Sequence, residues 1–258
     1  MTRSTTEKLP INPRIRQRRV QVIRDQGRKR LIAVEWTSGI LFAVAAIFGL
    51  AHSSFIGVKN VQITGSVHES REAIESQAGI TQGSTPMIDA NPAQVSHRID
   101  QMPWVASTVT VRHWPWSISI FIKERTAVGM VFDRNGALEL IDGSGRVLGP
   151  ANQSIGLPML TGVPVAPKPG RWIGKAAKPA LTVAAALGPN IKPGISRIEL
   201  GGGGTVDLQW GSETTVILGN TTDLAAKLDS LVTLLAKGNL RGATRIDLEV
   251  PNLPTVGP

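Results

Sequence analysis

The stretch Val105-Ala106-Ser107-Thr108-Val109-Thr110-Val111-Arg112-His113-Trp114-Pro115-Trp116-Ser117-Ile118-Ser119-Ile120-Phe121-Ile122-Lys123-Glu124-Arg125 decides the fold. Val105, Ser107, Val109 and Val111 alternate with Ala106, Thr108, Thr110 and Arg112. Beyond His113-Trp114-Pro115-Trp116, the residues Ile118, Ile120 and Ile122 alternate with Ser117, Ser119, Phe121 and Lys123. Successive side chains of a strand point to opposite faces, so two period-two runs around a turn predict a hairpin with one buried face. Upstream, Val58, Val61 and Ile63 lie in an extended run that ends at Gly65-Ser66. His68 to Ala78 predicts a short helix with Ile74 and Ala78 on one face, closed by Gly79. Asn91-Pro92 opens a second helix, with Asn as cap and Pro at the first helical position. Val95, Ile99 and Met102 form its apolar stripe and Pro103 stops it. Strand–helix–helix–strand–strand over residues 56–124 predicts an α+β unit, two helices covering a three-stranded sheet.

Downstream the pattern is of short strands. Val128–Phe132 and Leu138–Ile141 flank the turn Asp133-Arg134-Asn135-Gly136, and Asp142-Gly143-Ser144-Gly145 is another turn. Pro and Gly thicken through 149–175, as in a loop-rich crossover, before a short Ala-rich helix from Leu181 to Leu187. Ile195–Leu200, Val206–Trp210 and Thr214–Leu218 read as strands. Thr222 to Lys237 predicts a helix with Leu224, Leu228, Leu231 and Leu235 on one stripe, and Thr244–Val250 a last strand. These elements make residues 126–250 a mixed β domain with covering helices. Pro251, Pro254 and Pro258 obstruct regular pairing, so 251–258 is expected to be a loose tail.

Toward the N-terminus the chemistry changes. Trp36 to Phe55 carries no Asp, Glu, Lys or Arg, and twenty helical residues span about 30 Å, the thickness of a bilayer core. The expected membrane helix is 31–55, with Glu35 at the interface. A buried core helix seldom carries so long an uncharged run. A cleaved signal peptide would have a shorter apolar run and a small-residue cleavage site, which Leu50-Ala51-His52-Ser53 is not. Of the net charge of +9, residues 1–30 hold +8, from ten basic side chains against Glu7 and Asp25. Arg28, Lys29 and Arg30 beside the apolar run keep that tail in the cytoplasm and export the rest, a single-pass type II arrangement. The tail has two readings: a topology signal that touches anionic head groups, or a docking peptide for a cytoplasmic partner. Its lack of aromatic residues and the near-neutral body argue against nucleic-acid binding.

No catalytic set emerges. The chain has no cysteine, which excludes a disulfide framework and a thiolate site. Gly201-Gly202-Gly203-Gly204-Thr205 lacks the Gly-Lys-Ser/Thr end of a phosphate loop and precedes a strand, so it reads as a hairpin loop. His52, His68, His97 and His113 show no metal-ligand spacing, and no Gly-x-Ser-x-Gly elbow occurs. Neither a cofactor nor a metal is expected.

Several pieces, in order, resemble the FtsQ/DivIB family of bacterial cell-division proteins. Phe55 to Ser66 looks like the opening strand of that family's POTRA domain, with Gly65-Ser66 where Gly-Asn is usual. Pro103-Trp104-Val105, Val109-x-Val111-Arg112-x-Trp114-Pro115 and Ile118-x-Ile120-x-Ile122-x-Glu124-Arg125 are similar to its signature. Ala127 replaces a common proline. Leu157-Pro158-Met159-Leu160-Thr161-Gly162, Val216-x-Leu218-Gly219 with Lys227-Leu228, and Ile246-Asp247-Leu248-x-Val250-Pro251 continue the likeness, and the Arg-rich tail and the ending look actinobacterial. The resemblance implies five segments: a basic tail 1–30, a membrane helix 31–55, a POTRA domain 56–125, a β domain 126–250 and a tail 251–258. It also implies a non-enzymatic scaffold of the division septum whose partners are FtsB and FtsL, small bitopic coiled-coil proteins. A terminal strand can leave an open edge for a partner's strand. With the resemblance, this implies an FtsB site at Thr244, Arg245, Ile246, Asp247, Leu248, Glu249, Val250 and Asn252, of which the family's cluster at and just after the strand points to Glu249, Val250 and Asn252. A POTRA-type chaperone module of outer-membrane assembly is disfavoured because no barrel-forming region follows, and a cell-wall hydrolase because no catalytic set can be assembled.

Overall fold

A computed structural model describes residues 34–49, 57–151, 156–236, 243–251 and 253–257. The basic tail with Arg28, Lys29 and Arg30, and the ends of the expected membrane helix, lie outside the described residues. Its middle, residues 34–49, is helical and exposed (α1). Among the described residues no helix is long and apolar enough to cross a membrane.

The first domain follows the expected order. Strand β1 (Asn60–Thr64) leads to helices α2 (Arg71–Ala78) and α3 (Pro92–Ile99), then strands β2 (Val105–His113) and β3 (Ser117–Glu124). Ser70 caps α2 by accepting from the Ala73 N–H, and Asn91 caps α3 from the N–H groups of Ala93 and Gln94. β3 is central, parallel to β1 and antiparallel to β2. Ile118, Ile120 and Ile122 of β3 pack with Ile74, Ala78, Val95 and Ile99 of the helices, and emptying such a site to Ala costs about 2–5 kcal/mol.

The buried face of β2 is the reverse of the expectation. The register slips between Val105 and Ser107. Such a bulge adds one residue and flips every later side chain. Val105 is fully buried, but Val109 (59% exposed) and Val111 (38%) point away from the helices, while Thr110 faces them and its hydroxyl accepts from Ser96 Oγ at 2.8 Å. With Phe121 these valines form an apolar patch on the open side of the sheet.

Arg125 and Thr126 lead directly into the second domain, a nine-stranded sheet in the order β12-β11-β10-β9-β8-β7-β4-β5-β6. Its strands are β4 (Ala127–Phe132), β5 (Leu138–Asp142), β6 (Val147–Pro150), β7 (Met159–Thr161), β8 (Ile195–Leu200), β9 (Val206–Trp210), β10 (Thr214–Gly219), β11 (Arg245–Asp247) and β12 (Thr255–Gly257). Helices α4 (Lys178–Ala186) and α5 (Leu224–Ala236) cover the apolar face carrying Ile198, Leu208, Val216 and Ile246. The glycine run 201–204 turns β8 into β9, as a hairpin loop.

The two domains are tied by charge. Arg125 donates to Asp142 Oδ2 at 2.7 Å and to the Val105 carbonyl at 2.9 Å. Arg146, only 6% exposed, donates to the carbonyls of Gln101 (2.8 Å) and Met102 (3.1 Å) just past the end of α3. Its guanidinium also lies 4.9 Å from the Trp172 ring centre.

Candidate partner-binding edge

The expected site at Thr244–Val250 forms one end of the large sheet. β11 runs parallel to β10, with Thr215 opposite Arg245, Val216 opposite Ile246 and Ile217 opposite Asp247. The Thr215 N–H donates to the Thr244 carbonyl and the Leu248 N–H to the Ile217 carbonyl, which extends the ladder beyond the three strand residues. Ile246 and Leu248 are fully buried under α5.

Two expectations are corrected here. Thr244–Val250 is not an open edge, because β12 pairs with β11 on its other side, antiparallel, Arg245 opposite Gly257 and Asp247 opposite Thr255. Nor is the tail loose throughout, since Thr255-Val256-Gly257 is that strand. The prolines obstruct less than expected because they flank this tripeptide: Pro254 precedes it and Pro258 follows. The chain reverses by a turn in which the Asp247 carboxylate accepts the Glu249 N–H and the Val250 carbonyl accepts the Leu253 N–H. Ser230 of α5 donates its hydroxyl to the Pro251 carbonyl at 2.7 Å and pins that turn to the helix. Asn252 lies outside the described residues.

The outermost strand is therefore β12. Val250, Leu253 and Val256 are 56%, 73% and 43% exposed, a run of apolar side chains along the reversed segment. Behind it, Lys227 is buried at 2% exposure and donates from Nζ to the carbonyls of Leu218 (2.8 Å) and Asn220 (2.9 Å). That lysine holds the end of β10 and the start of α5 together, so the edge rests on a rigid floor. The other face of the sheet is charged. Burial, with the neighbouring Glu199, Glu249 and Asp247 carboxylates, pushes the Asp207 carboxyl above its usual range, and Arg245 partly opposes this.

The six signature residues of the first domain fall elsewhere. Gly65 has a positive φ of 89°, and a Cβ there would collide with the Ile122 carbonyl. Glu124 accepts from the Val67 and His68 N–H groups and pairs with His68 Nδ1 at 2.7 Å. Burial would raise that carboxyl, but these bonds outweigh it and hold it below its usual value. His68 in turn stacks on Trp104, centroids 3.7 Å apart. Gly65, Trp104, Glu124 and Arg125 thus gather where the two domains meet, whereas Trp114 and Pro115 sit at the opposite end of the hairpin. Sequence reasoning did not single out Arg146 or Asp142, whose roles depend on distant partners.

The description "POTRA domain, FtsQ-type" matches residues 56–125, and "Cell division protein FtsQ/DivIB, C-terminal" matches 130–249, so the two together account for most of the chain. The chain belongs to the FtsQ/DivIB family. Relatives agree in name. A cell division protein FtsQ of Mycobacterium leprae is 30% identical over 235 residues, 90% of this chain and 64% of that relative. Another from Mycolicibacterium smegmatis is 27% identical over 84% of this chain and 62% of its own length. The FtsQ of Thiomonas arsenitoxydans is 23% identical over 88% of this chain and 84% of its own. The chain thus spans less than two thirds of the two mycobacterial relatives. The α+β pairing of a POTRA domain with a C-terminal mixed β domain is that of an FtsQ cell-division protein.

Proposed function

We propose that this chain is a non-enzymatic scaffold of the bacterial divisome. It is anchored by residues 31–55 as a single-pass type II protein of the cytoplasmic membrane, enriched at the septum. It links early and late division proteins there and regulates septal cell-wall synthesis through FtsB and FtsL. The observation that carries the reading is the end of the nine-stranded sheet. Three strand residues, Thr255–Gly257, form its outermost member, with Val256 exposed on it and Val250 and Leu253 exposed on the segment that leads into it.

A strand at the rim of a sheet presents unpaired N–H and C=O groups, and an incoming strand satisfies them while side-chain pockets set specificity. FtsB docks as a further strand on the outer side of β12. Thr244 to Asp247 then act from one strand behind, fixing β12 in register, while Glu249 and Val250 line the turn that the partner crosses, and the proposed site includes Asn252. Fully burying a Val or Leu side chain contributes about 1.5–3 kcal/mol, so covering these three half-exposed side chains supplies about 4 kcal/mol before ordering costs.

A fluorescent fusion imaged in dividing cells, carrying the parental residue or Val250→Asp, tests this. The account expects a midcell band for both and loss of FtsB recruitment in the variant. Uniform envelope fluorescence of the parent, or normal recruitment by a folded Val250→Asp protein, would overturn it.

A further inference from the structure

The turn between β2 and β3 holds two tryptophans that neither core uses. Trp114 is 59% exposed and Trp116 47% exposed, at the tip of the first domain's hairpin. An exposed indole is a large apolar surface left in water, and each of these has a cation over its ring. Lys59 Nζ stands 4.9 Å from the Trp116 ring centre, and the Arg112 guanidinium carbon 5.6 Å from that of Trp114. Arg112 also donates to the Met87 carbonyl, which brings Ile88, 41% exposed, to the same tip. Asp89 is the acid on that neighbouring loop.

This tip lies where the chain comes in from the N-terminal apolar segment. β1 and β3 are parallel, and Asn60 stands opposite Ser117. The N–H groups of Lys59 and Asn60 both donate to the Trp116 carbonyl. Just before them, Val58 is fully buried and its N–H donates to the Thr85 carbonyl, so the domain is already fixed to the chain at that point. Seven residues, 50–56, separate α1 from Gly57, a reach of at most about 25 Å. β3 then carries the chain away from this end over eight residues, about 25 Å, to the second domain.

We propose that the β2–β3 tip of the POTRA domain seats on the outer surface of the same membrane, with Trp114 and Trp116 at head-group depth and Lys59 and Arg112 on anionic lipid. Indoles, apolar over most of the ring with one N–H donor, concentrate at the bilayer interface, and basic side chains are drawn to an anionic surface. The seat fixes the domain's tilt, so the hinge to the membrane is a docked contact and the partner edge stands at a set height. The inference rests on the reading of residues 31–55 as a membrane span.

The test uses the full chain reconstituted in phosphatidylcholine vesicles with and without phosphatidylglycerol, with lipids brominated near the head group as quenchers. The chain has six tryptophans. With Trp36 in the bilayer, the quenchable share falls from three in six to one in four in the Trp114→Phe/Trp116→Phe variant, an expected drop of about twofold. Lys59→Gln is expected to reduce quenching only in vesicles containing phosphatidylglycerol. Alkaline carbonate extraction separates the premises. Fractional quenching that stays level or rises in the double variant, toward one in four from one in six, in chains that resist extraction, would overturn the lipid seat and leave the anchor standing. Release by carbonate would overturn the anchor and the seat together. Protection of the two tryptophans by a partner protein and not by lipid would also overturn it.

Discussion

Replacing Arg146 with methionine tests how firmly the two domains are joined. The side chain is 6% exposed and reaches across the junction to the carbonyls of Gln101 and Met102, with Asp100 O at 3.4 Å. These carbonyls follow the end of α3, where intrahelical donors run out, so the guanidinium caps that helix from the other domain. A hydrogen bond to a charged group is worth about 1.5–3 kcal/mol net. Two good bonds would exceed that, but a cavity of about 530 Å³ lined by His97, Asp100, Gln101 and Trp172 lets water rehydrate the carbonyls. Methionine also keeps most of the stem's packing. The expected loss is therefore about 2–3 kcal/mol, or about 5–10 °C in Tm for a protein of this size. Thermal and urea unfolding followed by tryptophan fluorescence reads it, with Arg134→Met, an exposed arginine, as a control within about 0.5 kcal/mol. A shift no larger than the control's would refute the claim that Arg146 couples the domains.

Other outcomes follow from the same contacts. Lys227→Met leaves the Leu218 and Asn220 carbonyls without their buried donor and is expected to cost about 2–3 kcal/mol in urea unfolding. Asp207→Asn removes a carboxylate that burial and three neighbouring acids penalise, so it should stabilise the protein by about 0.5 kcal/mol at neutral pH. That gain should vanish in acid, because a carboxyl with a raised folded pKa destabilises only once pH climbs past the ordinary carboxylate value, and fully only above the raised one; melts at two pH values measure this. Asp142 behaves oppositely. Burial would raise it, but bonds from Ser144, Arg125 and the Arg146 N–H, with the Arg125 charge, hold it low. Its contribution is present above the ordinary carboxylate value and lost as pH falls through the depressed one. Arg125→Gln should flatten the acid limb of a pH–stability curve.

Much of this architecture is written locally in the chain. The period-two isoleucines of β3, the Asn91 cap and the stripe of α5 each depend on neighbours within a few residues, and they stand where sequence pattern put them. What pattern missed depends on tertiary context. A bulge after Val105 has no residue signature here, and it turned the valines of β2 outward. The seven-residue last strand proved to be three, because the Asp247 carboxylate captures the Glu249 N–H and turns the chain back. Prolines at 251 and 254 suggested a loose tail, yet the Pro251 carbonyl accepts from Ser230 and the next proline-free tripeptide pairs. The resemblance singled out Glu124 and Arg125 as signature positions, but their joint at the domain boundary appears only when Asp142, His68 and Trp104 are brought beside them.

The edge at β12 competes with another exposed apolar surface, the Val109, Val111 and Phe121 patch on the open side of the POTRA sheet. A photo-crosslinking residue placed in the full chain at Val256, and separately at Val109, distinguishes them most directly when FtsB is present. The account predicts a crosslink to FtsB from position 256 and none from 109. Crosslinking from 109 with none from 256 would contradict it.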